Sequence, residues 1–458
     1  MLRLPALSPN VNRPLKVILF AAAVSSAALA QPTRAARFEL PHDEFLIDET
    51  IPIVVAGLTP RATTVVRLRG GQLSQWTSGA TFIADDAGRI DLAQMAPVKG
   101  SYQGVDAMGL FWSVERDRAE AAQPDEEIGD ASPELWKLTA EIDREVVASV
   151  SIRRRTVAPG VRVTPVREGG LVGTFYEPPD EGHHPALMVL TGSGGGVPPA
   201  AGPAGGLASR GYSVLALAYF GAEGLPRTLS NIPLEYFGSA LRWLAARSSV
   251  DQTRIGVLGV SRGGELALLL GSVYPGIRTV VAYVPSNVVW RGCCDATTSV
   301  AWTVGGRAVA AKPPPGLRQP LAVDRAEIPV ERIHGAILLI SGHDDGVWPS
   351  AEMAEKIMAR LKRNGFPFAF ESLTYDLAGH GISRPYGSTM NLNSRRHPLT
   401  GRMVYLGGTP AGTAKANEDS WRRMLLFVDQ HLRNAGPASE ASPSATNGRS
   451  VDRSAMLP

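Results

Sequence analysis

Residues 254–270 read Arg-Ile-Gly-Val-Leu-Gly-Val-Ser-Arg-Gly-Gly-Glu-Leu-Ala-Leu-Leu-Leu, a stretch that predicts a buried strand, a tight turn and a helix. The apolar residues before the turn indicate the strand, and the run 265–270 favours a helix. Ser261 lies in the turn, with Gly259 and Gly263 on either side of it. In such a Gly-x-Ser-x-Gly turn the serine backbone is strained, and glycines avoid collisions with the neighbouring strand and helix. The stretch therefore predicts an exposed hydroxyl at a helix N-terminus, where a developing negative charge is stabilised.

The five-residue spacing is weak evidence by itself, because a chain with 48 glycines can contain it by chance. The alternative interpretation is a glycine-rich turn with a structural serine. The apolar run before Ser261 and the helical run after it favour the nucleophile turn.

The N-terminus has the layout of a secretory signal. Three basic residues stand before an apolar run at 17–30, which ends in Ala28-Leu29-Ala30. A basic region, a short apolar region and a small-x-small end are typical of a signal peptide. The run, about 14 residues, is too short to span a bilayer, so no stable membrane insertion is expected. We expect 1–30 to be a signal peptide and the mature protein to be exported, periplasmic or secreted; the alternative is a disordered N-terminus.

Composition and charge narrow the classes of function. The chain has 458 residues, 44% of them hydrophobic and 19% charged, which is enough for two domains with large cores. The net charge is only +3 and the basic residues are dispersed, so no nucleic-acid partner is expected. The cluster Arg153-Arg154-Arg155 is expected to be a solvated strand edge. Nothing in the sequence indicates an oligomeric state.

Cys293 and Cys294 are the only cysteines in the sequence. A disulfide between sequence neighbours is strained, and two cysteines cannot form a structural zinc site by themselves. We interpret the pair as packing residues or an adventitious redox pair. The sequence indicates no metal site and no organic cofactor.

The sequence pattern changes once along the chain. Residues 36–158 predict a small β-sandwich, whereas in 159–434 apolar strands alternate with helical stretches and predict a parallel sheet flanked by helices. Residues 435–458 are rich in Ser, Ala, Pro and Gly and are expected to be a disordered tail. The β-branched runs of the first part are 51–56, 63–69, 80–84 and 146–152.

A glycine-rich loop, Gly192-Ser-Gly-Gly-Gly196, follows the apolar strand at 186–190. It lacks the lysine and Ser/Thr of a phosphate-binding P-loop. In a hydrolase, a loop in this position supplies one backbone amide of the oxyanion hole, and the residue after the nucleophile, Arg262, supplies the other. The donor in the loop could be Gly194, Gly195 or Gly196, and a merely flexible turn is the alternative.

A serine nucleophile needs a base and an acid that orients the base, in the chain order Ser, Asp or Glu, then His. His380 follows a predicted strand and has a glycine on each side, which suits a base. Asp344 and Asp345 both follow the buried strand at 337–341. A calcium-like cluster is the rival interpretation, but no second set of oxygen ligands stands nearby. The spacing leaves the choice between the two aspartates open.

Several stretches, in conserved order, resemble the acyl-CoA thioesterase / bile acid-CoA:amino acid N-acyltransferase family. The likeness covers residues from about 40 to 433. The stretches are Gly100-Ser-Tyr-Gln-Gly-Val-Asp-Ala-Met-Gly-Leu-Phe-Trp-Ser-Val-Glu115, Val161-Arg-Val-Thr-Pro-Val-Arg-Glu168, Leu217-Ala-Tyr-Phe220, Leu234-Glu-Tyr-Phe237, the Ser261 turn, Gly342-x-x-Asp345-x-x-Trp348 and Ala378-Gly-His380.

The resemblance implies an N-terminal immunoglobulin-like β-sandwich followed by a C-terminal α/β-hydrolase domain. It implies a catalytic triad of Ser261, Asp345 and His380, and so selects Asp345 over Asp344. Members of the family that transfer acyl groups to amino acids carry cysteine at the nucleophile position, whereas serine accompanies hydrolysis. The resemblance therefore implies hydrolysis of acyl-CoA thioesters to a free acid and CoA.

Two features depart from that expectation. An export signal would place the protein where acyl-CoA is not expected. The stretch 290–319 does not resemble a known CoA-binding segment, and it stands where α/β-hydrolases carry lids that set specificity. Two alternatives therefore remain: an exported carboxylesterase or amide hydrolase with the same triad, and a non-catalytic binding protein.

Overall fold

The structure, a computed structural model, describes residues 35–71, 76–116, 133–294, 299–312, 326–390, 392 and 394–434. The predicted signal peptide and the predicted C-terminal tail lie outside the described residues. Within those ranges, no helix combines the length and the apolar character needed to cross a bilayer.

The first part of the chain is built of two β-sheets. A three-stranded sheet has the order β1-β3-β6, and a larger sheet has the order β2-β10-β9-β4-β5-β7, with β8 also paired to β5. The elements are β1 (Arg37–Glu39), β2 (Glu44–Leu46), β3 (Val54–Ala56), β4 (Thr63–Gly70), β5 (Trp76–Ile83), β6 (Ile90–Asp91), β7 (Lys99–Gly100), α1 (Gly109–Trp112), β8 (Glu115–Arg116), β9 (Glu134–Ile142) and β10 (Glu145–Arg155).

The two sheets share one apolar core. Alternation along β4 buries Val66 and Leu68 and turns Arg67 and Arg69 outward, as a strand with one buried face requires. Val55 of the smaller sheet is buried in the same cluster. The first part is therefore a two-sheet β-structure with its core between the sheets.

The second part contains an eight-stranded sheet in the order β11-β12-β14-β13-β16-β17-β20-β21. The first three strands in this order are antiparallel neighbours, and the strands from β14 onward are parallel. A short sheet of order β15-β18-β19 and a hairpin of β22 and β23 lie outside it. The elements are β11 (Arg162–Val166), β12 (Val172–Glu177), β13 (His184–Leu190), α2 (Pro198–Ala208), β14 (Ser213–Ala218), β15 (Ile232–Pro233), α3 (Leu234–Ala245), β16 (Val250–Val260), α4 (Arg262–Val273), β17 (Ile277–Tyr283), β18 (Trp302–Val304), β19 (Arg307–Ala308), β20 (Ala336–Gly342), α5 (Ser350–Arg363), β21 (Phe370–Tyr375), β22 (Ser394–Arg396), β23 (Met403–Tyr405) and α6 (Pro410–Val428).

Helices cover both faces of the large sheet, and central strands such as β14 and β20 are therefore buried at every position. Along β13, Met188 faces a core that includes residues of α3, α4 and α5. Its neighbours Leu187 and Val189 face a second core that includes residues of α2 and α6. The prediction of a parallel sheet flanked by helices is confirmed, with an antiparallel edge at β11 and β12.

Arg154 lies buried where the two parts of the chain meet. The expectation of a solvated edge at residues 153–155 is wrong for this residue, which is 2% exposed. Its guanidinium donates to the backbone carbonyl of Ile47 and, at 3.3 Å, to that of Tyr386 in the second part. The arginines on either side of it pair with Glu44 at the edge. Because side chains alternate along the strand, Arg154 points inward and contacts the second part of the chain.

Candidate active site

The turn at Ser261 has the strained geometry that its sequence predicts. Ser261 follows β16 directly, precedes α4, and has φ +59° and ψ −119°, a conformation that non-glycine residues rarely adopt. A Cβ at Gly259 would lie 2.0 Å from the carbonyl oxygen of Gly263, and a Cβ at Gly263 would lie 2.4 Å from that of Thr191. Both glycines are therefore required by the close approach of the strand, the turn and the helix.

The structure brings His380 and Asp345 together with this serine. The Oγ of Ser261 lies 2.8 Å from Nε2 of His380, and Nδ1 of His380 lies 2.8 and 3.0 Å from the two carboxylate oxygens of Asp345. The three residues follow β16, β21 and β20, whose carboxyl ends meet at one edge of the parallel sheet. Since a carboxylate only accepts, Nδ1 carries the proton and Nε2 is free to accept from the serine hydroxyl. The neighbouring Asp344 is exposed and is not part of this chain of contacts.

The carboxylate of Asp345 is held rigidly. Its side chain is fully buried, and its Oδ1 also accepts the backbone N–H groups of Val347 and Trp348 at 2.9 and 3.2 Å. The ring of Trp348 packs edge-on against His380 with the centroids 5.1 Å apart. A buried carboxylate that accepts several hydrogen bonds is fixed in position and so keeps the imidazole in one orientation.

The glycine loop lies beside Ser261. A Cβ at Gly192 would lie 3.2 Å from the Cβ of Ser261. The N–H of Gly195 donates to the carbonyl of Gly192 at 3.3 Å, and that of Gly196 donates to the carbonyl of Phe220 at 2.9 Å. Of the three predicted donors, only Gly194 has an N–H without an acceptor among the described residues. The N–H of Arg262, at the first position of α4, has no partner within the helix by its position.

A histidine that the sequence did not single out contacts this loop. Nδ1 of His397 accepts the N–H groups of Leu399 and Thr400 at 3.3 Å, so its Nε2 carries the proton. That nitrogen lies 3.1 Å from the Oγ of Ser193. His397 therefore ties the β22–β23 hairpin to the glycine loop. No sequence signal links the two residues, because they lie 204 positions apart.

A cavity of about 1060 Å³ opens at the serine and the histidine. Its wall includes apolar side chains such as Trp290, Val347 and Trp348, and basic ones such as Arg384 and Arg395. Residues 290–294, the first part of the stretch at 290–319, also border it. A cavity of this size with mixed walls can take an elongated amphipathic ligand.

Glu265, a buried acidic residue for which the sequence predicts no role, lies behind the turn. Its Oε1 accepts the indole N–H of Trp302 at 2.8 Å, and its Oε2 lies 3.3 Å from Nε of Arg262. The Arg262 guanidinium also donates to the backbone carbonyls of Trp290 and Arg291, each at 3.0 Å. Burial raises the pKa of the Glu265 carboxyl to about 7, although the charge of Arg262 opposes the rise. This network joins the nucleophile helix to the segment that borders the cavity.

The raised pKa of Glu265 predicts a pH-dependent stability. Between pH 4.5, the ordinary pKa, and about 7, the folded protein retains a proton that the unfolded chain has released. The free energy of unfolding should therefore fall as pH rises through this window, by about 3 kcal/mol. Glu265→Gln removes the titration, so its stability should depend less on pH. Urea unfolding at several pH values, with the exposed Glu355→Gln as control, measures the difference; parallel profiles for Glu265→Gln and wild type would contradict it.

The two cysteines border the same cavity. They are not joined in a disulfide, and Sγ of Cys294 lies 3.5 Å from the carbonyl of Ser193 and 3.9 Å from Nε2 of His397. Across the described ranges, no group of three or more His, Cys, Asp or Glu residues is arranged to hold a metal ion.

The sheet order, with its antiparallel second strand, and the strained serine turn after the fifth strand define the α/β-hydrolase class. Comparison with known families and proteins narrows this class. Residues 48–168 match the acyl-CoA thioester hydrolase/BAAT N-terminal region, and residues 232–306 and 316–434 match the BAAT/acyl-CoA thioester hydrolase C-terminal region. The chain belongs to the acyl-CoA thioester hydrolase/BAAT family and is an acyl-CoA thioesterase-like hydrolase.

Two acyl-CoA thioesterases agree with this assignment. Acyl-coenzyme A thioesterase 1 of Mus musculus is 31% identical over 416 residues, which cover 84% of this chain and 94% of that protein. The mitochondrial acyl-coenzyme A thioesterase 2 of Mus musculus is also 31% identical, over 84% of this chain and 87% of that protein. Among solved structures, an acylaminoacyl peptidase of Pyrococcus horikoshii aligns with a TM-score of 0.41 at 13% identity, over 67% of this chain and 49% of that one. Because the family consists of enzymes, the alternative of a non-catalytic binding protein has no support.

Proposed function

We propose that this protein hydrolyses acyl-CoA thioesters to a free carboxylic acid and CoA through a covalent acyl-serine intermediate. In this proposal Ser261 is the nucleophile, His380 the general base and acid, and Asp345 the residue that orients the imidazole. The observation that carries it is the unbroken series of contacts from Ser261 Oγ through His380 to Asp345, in a chain of the thioester hydrolase family.

The first half of the reaction acylates the serine. His380 Nε2 takes the hydroxyl proton while Ser261 Oγ forms a bond to the thioester carbonyl carbon, and the carbonyl π electrons move onto oxygen. When the tetrahedral intermediate collapses, the carbon–sulfur bond breaks and CoA leaves with its electron pair. The proton on His380 passes to the sulfur as it departs or just afterwards, and the imidazole is neutral again for the second half of the reaction.

The second half releases the acid. His380 takes a proton from a water molecule, whose oxygen attacks the acyl-enzyme carbonyl and forms a second tetrahedral intermediate. Collapse of this intermediate breaks the bond to Ser261 Oγ, which regains a proton from the imidazole. The products are the carboxylic acid and the free enzyme, so the residues need no cofactor to balance the reaction.

The oxyanion of both intermediates would be bound by two backbone amides. We propose the N–H of Arg262 and that of Gly194, with the helix N-terminus adding to the field. Gly195 was an equal candidate by sequence, but its N–H already donates to Gly192. Using Gly195 would require that hydrogen bond to break as the substrate binds.

We further propose that 36–158 is an immunoglobulin-like domain and 159–434 the catalytic domain. The two sheets with a shared core support the first assignment, and the eight-stranded sheet with its helices supports the second. Export through 1–30 is a proposal that rests on the sequence of that segment alone. One relative is named as mitochondrial, so the comparisons lend export no support.

The second candidate function, an exported carboxylesterase or amide hydrolase with the same three residues, is favoured only by the signal-like segment. A comparison of kcat/KM for a long-chain acyl-CoA and for an oxygen ester of the same acyl group separates the two. We expect a preference for the thioester of about tenfold or more, since binding of the CoA portion adds to transition-state stabilisation. Cleavage of the oxygen ester alone would replace the proposed function with the second one.

A further inference from the structure

A strongly basic hairpin borders the cavity. We call residues 394–405 the basic hairpin; it comprises β22, β23 and the turn between them. It carries Arg395, Arg396 and Arg402 and contains no aspartate or glutamate. All three arginines line the cavity, as does Arg384. A cavity rim with this balance of charge attracts anions.

The basic hairpin lies next to the nucleophile's own loop. His397 contacts Ser193 across 3.1 Å, and a Cβ on Gly194 would lie 3.1 Å from Cγ of Pro398. The glycine loop in turn touches Ser261. A ligand bound at the serine therefore lies close to the basic hairpin.

The positive charge at this rim is not neutralised within the described chain. None of Arg384, Arg395, Arg396 and Arg402 forms an ion pair with a described carboxylate. The one acidic residue among those that line the cavity, Glu134, lies 3.9 Å from the guanidinium of Arg154.

The charges of these arginines act on their neighbours. Burial lowers the pKa of Arg154 to about 10 and Glu134 opposes the shift, while the positive charge of Arg384 adds to it. Burial lowers the pKa of His397, and the charge of Arg395 lowers it further. Arg384 and Arg395 thus add positive charge next to other basic groups, and a bound anion would relieve the repulsion.

Part of the cavity wall is apolar. The rings of Trp290 and Trp348 stack with centroids 6.2 Å apart, and Trp348 packs on His380. Val347 lies beside them in the same small apolar cluster. Apolar and cationic side chains therefore both line the cavity, together with Ser261 and His380.

We propose that Arg384 and the basic hairpin bind the phosphate groups of the CoA leaving group, while the acyl chain lies against Trp290 and Trp348. The inference rests on the proposed thioesterase function and names the residues that would recognise the nucleotide end of its substrate. Guanidinium groups suit this role because their fork of donors matches phosphate oxygens. An uncharged ester or amide substrate would leave these arginines without a ligand.

The test uses the double variant Arg395→Gln/Arg402→Gln. Arg396 is left in place because it donates to the carbonyl of Gly401 at 2.7 Å and so supports the hairpin turn. The matched control is Arg144→Gln/Arg307→Gln, which removes the same charge from two exposed sites that do not line the cavity. Thermal unfolding of all three proteins checks that they are folded.

Two measurements are made on each protein: the Kd for CoA by calorimetry, and kcat and KM for an acyl-CoA and for the matching acyl-pantetheine, which lacks the phosphates. We expect the double variant to raise the Kd for CoA and the KM for acyl-CoA by about tenfold, since it loses charge-assisted bonds to phosphate. Its kcat should change by less than about twofold, because the arginines bind substrate and transition state equally. Acyl-pantetheine hydrolysis should not change, and salt should weaken CoA binding more in wild type than in the variant.

An unchanged Kd for CoA in the double variant would overturn the phosphate site, as would an equal loss with acyl-CoA and acyl-pantetheine. The proposed function fails separately. If wild type cleaved neither thioester but the variant still lost CoA binding, the function would be wrong and the phosphate site would stand. If both thioesters were cleaved and CoA binding did not depend on the arginines, the function would stand without this site.

Discussion

Replacing Ser261 by alanine is expected to lower kcat for acyl-CoA by about 10⁵-fold or more, because no other group can form the covalent intermediate. What activity remains would come from the oxyanion amides and from substrate positioning, with water as a poor nucleophile. The change removes one oxygen atom and leaves the strained backbone, so folding should be preserved. The rate is measured from the reaction of the released CoA thiol with a disulfide dye.

Ser193→Ala is the matched control for this prediction. Ser193 also lines the cavity and also lies within hydrogen-bond distance of a histidine, His397. Its loss should cost no more than about tenfold, as expected for a neutral hydrogen bond next to the site. A fluorophosphonate probe should label wild type and Ser193→Ala but not Ser261→Ala. Full activity in Ser261→Ala would refute the acyl-serine route.

The serine turn could be predicted because its determinants are local. An apolar strand, two glycines at fixed spacing and a helical run all lie within 254–270, and the structure shows why a side chain at either glycine would collide with backbone. The parallel sheet could be predicted for the same reason, since central strands such as β14 and β20 are buried on both faces and largely apolar.

Features that depend on contacts distant in sequence could not be predicted. Glu265 stands in a helical run, and nothing nearby shows that Trp302, 37 positions later, would donate to it. The burial of Arg154 against the second domain could not be predicted either. Strand alternation places the middle one of three successive arginines on the opposite face from its neighbours, but does not show that this face meets a second domain instead of solvent.

The aspartate pair is an intermediate case. Both Asp344 and Asp345 follow the same strand, so spacing alone left them equal, and only the family resemblance selected the second. In the structure Asp345 turns inward beneath His380 whereas Asp344 is exposed. This arrangement provides a direct test, because the same substitution can be made at two adjacent positions.

Asp345→Asn is expected to lower kcat by about 10³- to 10⁴-fold, chiefly by changing the tautomer of His380. The amide oxygen of the asparagine would keep the bonds from the N–H groups of Val347 and Trp348, which need an acceptor. Its NH₂ would then face Nδ1 of His380, which can pair with it only as an acceptor. The ring proton would move to Nε2, where it blocks removal of the Ser261 proton.

Asp344→Asn removes the same charge one residue away and should leave kcat within about twofold of wild type, because an exposed charge is screened by solvent. Steady-state kinetics with one acyl-CoA, together with thermal unfolding, separate loss of the acid from loss of the fold. A large loss of kcat in Asp344→Asn with little change in Asp345→Asn would show that Asp344, and not Asp345, orients the imidazole. We expect a large loss of kcat in Asp345→Asn alone, in a protein that a fluorophosphonate still labels slowly. Labelling requires an accessible serine, so this result would show that the activation of Ser261 is impaired and not its position.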